Sequence, residues 1–209
     1  MMVSASIERE LASRLFPVRT GVFVAVTGPS GSGKDTLIAY ARERLGPGDD
    51  VLFARRVITR TANPAAEDHD VMDAVAFAAA EAAGALALSW QANGLSYGLP
   101  LGTDDAMRDG RVVVANLSRS AVADLRARYA NCMVVSISAP ADILASRLAA
   151  RGRENEAEIR ARLERGARRL AVDDRAVTID NDGTIEMAGE RFLAIVRKAI
   201  AYAAVSETV

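Results

Sequence analysis

Short apolar runs alternate with longer amphipathic stretches along the chain, and the two patterns predict strands and helices respectively. The runs predict strands at 22–27, 55–60, 86–92, 96–99, 111–116, 133–138 and 176–180. The stretches between them predict helices at 36–45, 75–83, 104–108, 118–130, 142–150, 157–171 and 185–205. Repeated strand–helix units of this kind predict an α/β fold, in which a parallel sheet carries helices on both faces to give three layers.

The region at about 60–100 interrupts this alternation of strands and helices. A polar loop at 61–70 leads to an alanine-rich helix and then to two strands joined by Asn93-Gly94, a pair typical of a two-residue hairpin turn. We expect a small substrate-binding subdomain at about 60–100, inserted in a core formed by 21–59 and 101–205. Residues 1–20 have mixed charge and are expected to be a separate N-terminal segment.

Composition narrows the class of protein. The chain has 209 residues, of which 26 are Lys or Arg and 27 are Asp or Glu, so its charge does not predict a nucleic-acid partner. Its one cysteine, Cys132, excludes an intrachain disulfide framework and is expected to be a small buried side chain rather than a nucleophile. We find no apolar run of membrane-spanning length and no secretory signal pattern. We therefore expect a cytoplasmic protein with no membrane partner.

The segment between the first predicted strand and the first predicted helix has the composition of a phosphate-binding loop. Its spacing fits the Walker A pattern, in which backbone N–H groups and a lysine cradle the phosphates of a nucleotide. The expected nucleotide-binding residues are Gly28, Pro29, Ser30, Gly31, Ser32, Gly33, Lys34, Asp35 and Thr36. The pattern departs at Asp35, where Ser or Thr is usual. We expect ATP with Mg²⁺, and the metal contact stays open between Asp35, acting through water, and Thr36.

Phosphoryl transfer from the nucleotide would also need an acceptor site, and five side chains in or near the inserted region suit that task. Arg56 and Arg60 stand toward the end of the second predicted strand, where an open α/β sheet faces its ligand. Glu67 and His69 lie in the polar loop that follows, and Tyr97 can present its hydroxyl to a phosphate. Two alternatives stay open, since His69 also suits a solvated loop and Glu67 also suits holding an arginine in place.

The charge that moves between donor and acceptor needs further cations. Arg147, Arg151 and Arg162 flank a charged break, and a helical lid at about 147–165 would fold them over the donor phosphates. With Lys34 they are the expected catalytic residues. The remaining arginines of this region are expected to form a solvated face.

These motifs resemble the guanylate kinase superfamily over nearly all of residues 21–205. Within it, the sequence more closely resembles the ribose 1,5-bisphosphate phosphokinase family of bacterial phosphonate catabolism, on the segments 28–36, 57–60, 67–69 and 84–98. The resemblance implies transfer of phosphate from ATP to ribose 1,5-bisphosphate, which gives 5-phosphoribosyl 1-diphosphate. An acceptor phosphate with a second pKa of about 6 is largely dianionic at neutral pH, so no general base is expected.

Departures from guanylate kinases favour the smaller substrate. The position of their guanine-binding glutamate is Leu88 here, their phosphate-gripping tyrosine is His69, and an acidic residue common at the end of a core strand is Asn116. The alternatives are a guanylate kinase acting on GMP and an inactive module that binds a protein. On the preferred interpretation the partner is a small sugar phosphate, and the protein is a monomer or homodimer.

Overall fold

The computed structural model describes residues 18–46, 48–59, 69–150 and 175–206. Its strands are β1 (Val22–Thr27), β2 (Val51–Phe53), β3 (Arg56–Ile58), β4 (His69–Val71), β5 (Leu86–Ala92), β6 (Leu95–Pro100), β7 (Val112–Asn116), β8 (Cys132–Ser138) and β9 (Val177–Asp180). Its helices are α1 (Lys34–Arg44), α2 (Ala74–Ala82), α3 (Gly102–Arg108), α4 (Val122–Arg128), α5 (Ala141–Ala150) and α6 (Ile185–Ser206). A short 3₁₀ turn, Arg119–Ala121, precedes α4.

Five strands form a parallel sheet in the order β2-β7-β1-β8-β9. β1 and β7 are buried along their whole lengths, as strands covered on both faces should be. Alternate residues of β1 face opposite layers. Val24 packs in one cluster with Leu37 of α1 and Phe192 of α6, whereas Phe23 packs in another with Met107 of α3. The predicted three-layer α/β fold is confirmed.

The second sheet has four strands in the order β4-β3-β6-β5. β3 pairs parallel with β4 and antiparallel with β6, and β5 and β6 form an antiparallel hairpin. At the turn of this hairpin Asn93 has φ of 52° and Gly94 has φ of 76°, which is the left-handed pair that a type I′ turn requires. The predicted hairpin is therefore confirmed.

The strand predicted at 55–60 is divided differently in the structure. β2 forms the edge of the five-stranded sheet, where it pairs with β7, and the chain then passes through Ala54 and Arg55 into β3 of the smaller sheet. Arg56 therefore begins a strand of the smaller sheet, and its predicted place at the end of a core strand was wrong. The reason is that only Ala54 and Arg55 separate the two short strands, so the sequence pattern does not show where pairing changes.

The predicted helix at 118–130 consists of the 3₁₀ turn and α4, because the Ser118 side chain accepts from the Ser120 N–H and starts the tighter turn. The predicted helix at 157–171 lies outside the described residues. The described residues contain no helix long and apolar enough to cross a membrane.

Candidate active site

The loop from Gly28 to Lys34 connects the carboxyl end of β1 to α1. Gly33 has φ of 90°, and a Cβ built on it would lie 2.3 Å from Nδ2 of Asn181. A Cβ on Gly28 would lie 2.2 Å from the carbonyl oxygen of Ile137 on β8. Both positions thus require glycine, because the backbone curls closely against the neighbouring strands. This curl is what a phosphate-binding loop needs.

Lys34 is the first residue of α1 and is half-buried. Its Nζ donates to the carbonyl oxygens of Gly28 and Pro29 at 3.1 and 2.9 Å. The ammonium group therefore lies against the loop, where its full charge adds to the partial positive charge of the helix N-terminus. A phosphate placed over this loop would meet both charges.

Asn181 holds the loop from the side of β9. Its backbone N–H donates to the carbonyl of Ser138 at 2.8 Å, and its Nδ2 donates to the carbonyl of Ser32 at 2.8 Å. The asparagine is 3% exposed and Ser32 is fully buried. This one side chain thus fixes the loop backbone relative to the carboxyl ends of β8 and β9.

Asp35 is held from the opposite side of the loop. Asn116, the last residue of β7, donates from Nδ2 to Asp35 Oδ1 at 2.6 Å. The asparagine is 7% exposed, whereas the aspartate is exposed to solvent. The bond orients the carboxylate of Asp35, the residue that follows Lys34.

The residues present fit a metal ion carried by nucleotide phosphates rather than an independent metal centre. In the described parts of the chain, no group of three or more His, Cys, Asp or Glu side chains could hold a metal ion. Mg²⁺ typically takes one or two carboxylates from a protein and completes its octahedron with phosphate oxygens and water. Asp35, and Thr36 exposed beside it on the first turn of α1, are the side-chain oxygen donors that directly follow Lys34.

A cavity of about 140 Å³ opens beside α1. Its polar walls come from Asp35 and Arg42 of α1, Arg56 of β3 and Asn116 of β7. Apolar side chains, among them Phe53 of β2, complete the lining. The cavity lies between α1 and strands β2 and β7 of the five-stranded sheet, and Arg56 reaches it from the smaller sheet.

Three of the predicted acceptor residues share one region of the smaller sheet. Arg56 and His69 are register partners across β3 and β4. The Arg56 guanidinium carbon lies 5.9 Å from the centroid of the Tyr97 ring, and that ring stacks on Trp90 at 5.6 Å. The aromatic stack therefore supports the arginine beside the cavity. Arg60 and Glu67 lie outside the described residues.

Arg147 lies on α5, which packs against the phosphate-binding loop. A Cβ on Gly31 would lie 3.3 Å from the Leu144 carbonyl oxygen and 3.3 Å from Cγ of Leu148. Arg147 is half-buried, and within the described residues its Nη1 is buried with no hydrogen-bond partner. Arg151 and Arg162 lie outside the described residues.

Comparison with known proteins assigns the family. Residues 24–165 match the family model described as AAA domain. Ribose 1,5-bisphosphate phosphokinase PhnN of Chelativorans sp. (strain BNC1) is 53% identical over 210 residues, covering 100% of both chains. The chain belongs to the ribose 1,5-bisphosphate phosphokinase family. Another member, from Brucella melitensis biotype 2 (strain ATCC 23457), is 49% identical over 176 residues, which cover 83% of this chain and 90% of the relative.

Solved structures resemble the chain in fold alone. A guanylate kinase from Anaplasma phagocytophilum superposes with a TM-score of 0.68 at 19% identity, over 86% of each chain. A sugar kinase from Janibacter sp. HTCC2649 superposes with a TM-score of 0.51 at 19% identity, over 87% of this chain and 97% of the other. This chain therefore shares the fold of the guanylate kinase.

Three side chains of the site were not assigned a function from the sequence. The sequence marks Asn116 only as a departure from guanylate kinases and indicates no role for Asn181, yet both side chains hold the loop region. Arg42 was missed altogether, although its spacing of seven residues from Asp35 places both on one face of a helix. That periodicity is the signal that could have found it.

Proposed function

We propose that the protein transfers the γ-phosphate of ATP to ribose 1,5-bisphosphate, giving ADP and 5-phospho-α-D-ribose 1-diphosphate. The observation that carries the proposal is the 53% identity, over the whole chain, to a protein named for this substrate. We also infer that the protein acts in phosphonate catabolism. We expect it in the cytoplasm, as a monomer or homodimer.

The donor would lie over the loop from Gly28 to Thr36. Backbone N–H groups and the helix N-terminus attract the β- and γ-phosphates, and Lys34 would exchange its two carbonyl contacts for phosphate oxygens. Mg²⁺, when bound, neutralises charge on those phosphates. Asp35, with Thr36, would hold it directly or through water, since the bond from Asn116 already orients the carboxylate.

The acceptor would lie in and beside the cavity. Arg56 lines the cavity, and His69 and Tyr97 are neighbours of Arg56 in the smaller sheet. We add Arg60 and Glu67 from the segment between β3 and β4. The acceptor phosphate attacks as a dianion, so these side chains bind and orient the sugar bisphosphate as a whole and need not remove a proton. Arg147, with Arg151 and Arg162, would neutralise the charge that passes from donor to acceptor, and the buried Nη1 of Arg147 supports this role.

Phosphorylation of GMP is less well supported. Leu88 occupies the position of the guanine-binding glutamate and is only 7% exposed, because it packs in the core with Trp90 and Leu99. An apolar side chain cannot accept hydrogen bonds from a guanine edge. An inactive binding module is also less well supported, since Lys34 lies against an intact loop.

The test is an assay of ADP release with ribose 1,5-bisphosphate, GMP, AMP and ribose 5-phosphate as separate acceptors. We expect turnover with ribose 1,5-bisphosphate, and loss of about 10²-fold or more in kcat for Lys34→Ala. The control is Lys198→Ala, which changes the chain's other lysine, an exposed residue of α6. ADP release with GMP alone would overturn the substrate, and wild-type turnover in Lys34→Ala would overturn the mechanism.

A further inference from the structure

One face of α1 runs from the phosphate-binding loop into the cavity. Asp35, Ile38, Ala39 and Arg42 follow the helical spacing i, i+3, i+4, i+7, and all four line the cavity. Seven residues of an α-helix rise about 10 Å, so Arg42 lies two turns from the loop. The cavity therefore extends from the proposed donor site to the guanidinium of Arg42, two helical turns away.

Two arginines reach this cavity from different elements, and each lies over an aromatic ring. The Arg42 guanidinium carbon is 5.1 Å from the centroid of Phe53, and that of Arg56 is 5.9 Å from the centroid of Tyr97. A ring contact of this kind engages the face of the guanidinium and directs its N–H groups sideways. Those edges match the spacing of phosphate oxygens, which arginine can bind bidentately.

The charge of the cavity favours an anion. Among its described lining residues two guanidinium groups outnumber one carboxylate, and that carboxylate, on Asp35, accepts from Asn116 at the loop end. The volume of about 140 Å³ is several times that of one water molecule, which leaves room for a phosphate group.

We propose that Arg42 and Arg56 form the subsite for the 5-phosphate of the sugar bisphosphate, the phosphate that does not react. This inference rests on the proposed function. The phosphate on C1 must approach the donor near Lys34, so the phosphate on C5 lies a sugar's length away, in the direction in which the cavity extends. The subsite makes the enzyme select a bisphosphate over a sugar carrying one phosphate on C1.

The test compares Arg42→Gln and Arg56→Gln with Arg44→Gln. Arg44 is a neighbour on the same helix, but it lies over the Tyr40 ring and pairs with Glu190, away from the cavity. Losing a charge-assisted contact to phosphate should lower kcat/KM for ribose 1,5-bisphosphate by about ten- to hundredfold in each cavity variant. We expect no change in the KM for ATP, and wild-type values throughout for Arg44→Gln.

Calorimetric binding of two single phosphates identifies which phosphate the arginines hold. We expect the Kd of ribose 5-phosphate to rise by about ten- to hundredfold in the two cavity variants, while that of α-D-ribose 1-phosphate stays within about twofold of wild type. A matching rise for ribose 1-phosphate would overturn the proposal, since the arginines would then hold the reacting group. So would unchanged affinity for ribose 5-phosphate, or its failure to bind the wild-type protein.

Failure of the proposed function has a different signature. It would appear in the wild-type protein as an absence of ADP release with ribose 1,5-bisphosphate, before any variant is made. The calorimetric comparison needs no turnover, so it tests the anion subsite independently. Ribose 5-phosphate binding that depends on Arg42 and Arg56 would support the subsite in either case.

Discussion

Asn181→Ala should loosen the phosphate-binding loop without unfolding the protein. The substitution removes the amide that donates to the Ser32 carbonyl at 2.8 Å and packs directly over Gly33. The backbone bond from residue 181 to the Ser138 carbonyl does not depend on the side chain and should persist. The perturbation is therefore confined to the contact between the segment after β9 and the loop.

The expected loss follows from burial. Ser32 is fully buried, and a buried acceptor left without its donor costs about 1–3 kcal/mol. For a chain of this size, each kcal/mol lowers the melting temperature by about 2–4 °C. If the same contact holds the loop in its binding conformation, a coupling of this size raises the Kd for ATP by about 5- to 150-fold.

Asn131→Ala is the matched control. Its Nδ2 also donates to backbone carbonyls, those of Arg19 at 2.7 Å and Gly21 at 3.1 Å. Both acceptor residues precede β1, so they lie at the end of the sheet opposite the phosphate-binding loop. Urea unfolding would measure stability, and calorimetry would measure ATP binding. We expect both variants to lose stability and only Asn181→Ala to lose ATP affinity. Equal ATP affinity in the two variants would refute the reasoning.

Two further predictions concern the buried network on the opposite face of the sheet, where fully buried Asp104 of α3 accepts from Nε of Arg128 at 2.9 Å and from the Tyr129 hydroxyl at 2.6 Å. Asp104→Asn should lower the free energy of unfolding by about 3 kcal/mol, because it removes the buried charge that pairs with the half-buried guanidinium of Arg128. Chemical denaturation measures this loss, and a loss below about 0.5 kcal/mol would contradict the prediction. Burial, and next the charge of Asp104, raise the pKa of Tyr129, so the folded state keeps a proton that the unfolded state loses above pH of about 10. Stability should therefore fall by about 1.4 kcal/mol per pH unit above that point, and the difference between wild type and Tyr129→Phe, measured from pH 9 to 11, should show this slope. Parallel curves for the two proteins would contradict the assignment.

The sequence predicted correctly those features that depend on interactions between residues close together in the chain. The strand at 86–92 matches β5 at both ends, and the Asn93-Gly94 turn has the predicted left-handed geometry. The loop that ends at Lys34 lies between a buried strand and a helix, as its spacing requires. Each of these features depends on residues close in sequence, where side-chain alternation and glycine conformations act directly.

Features that depend on contacts between residues far apart in the chain could not be predicted from the sequence. The change of sheet at Ala54 and Arg55 depends on which partner each short strand finds, and the sequence of two adjacent short strands does not show that partner. The contact between Asp35 and Asn116 joins residues 81 positions apart. The role of Arg42 became interpretable only when the structure showed that it lines the same cavity as Arg56.

The hydrogen bond between Asp35 and Asn116 explains the least expected residue of the loop. Compared with the guanylate kinase pattern, position 35 has gained a carboxylate and position 116 has an amide in place of an acid. The two side chains meet at 2.6 Å, with the amide donating to the carboxylate. Two carboxylates at that distance would repel each other and one would have to take up a proton. The amide of Asn116 therefore suits the carboxylate of Asp35, and on the proposed function the pair would set one carboxylate, carried by α1, near the donor phosphates.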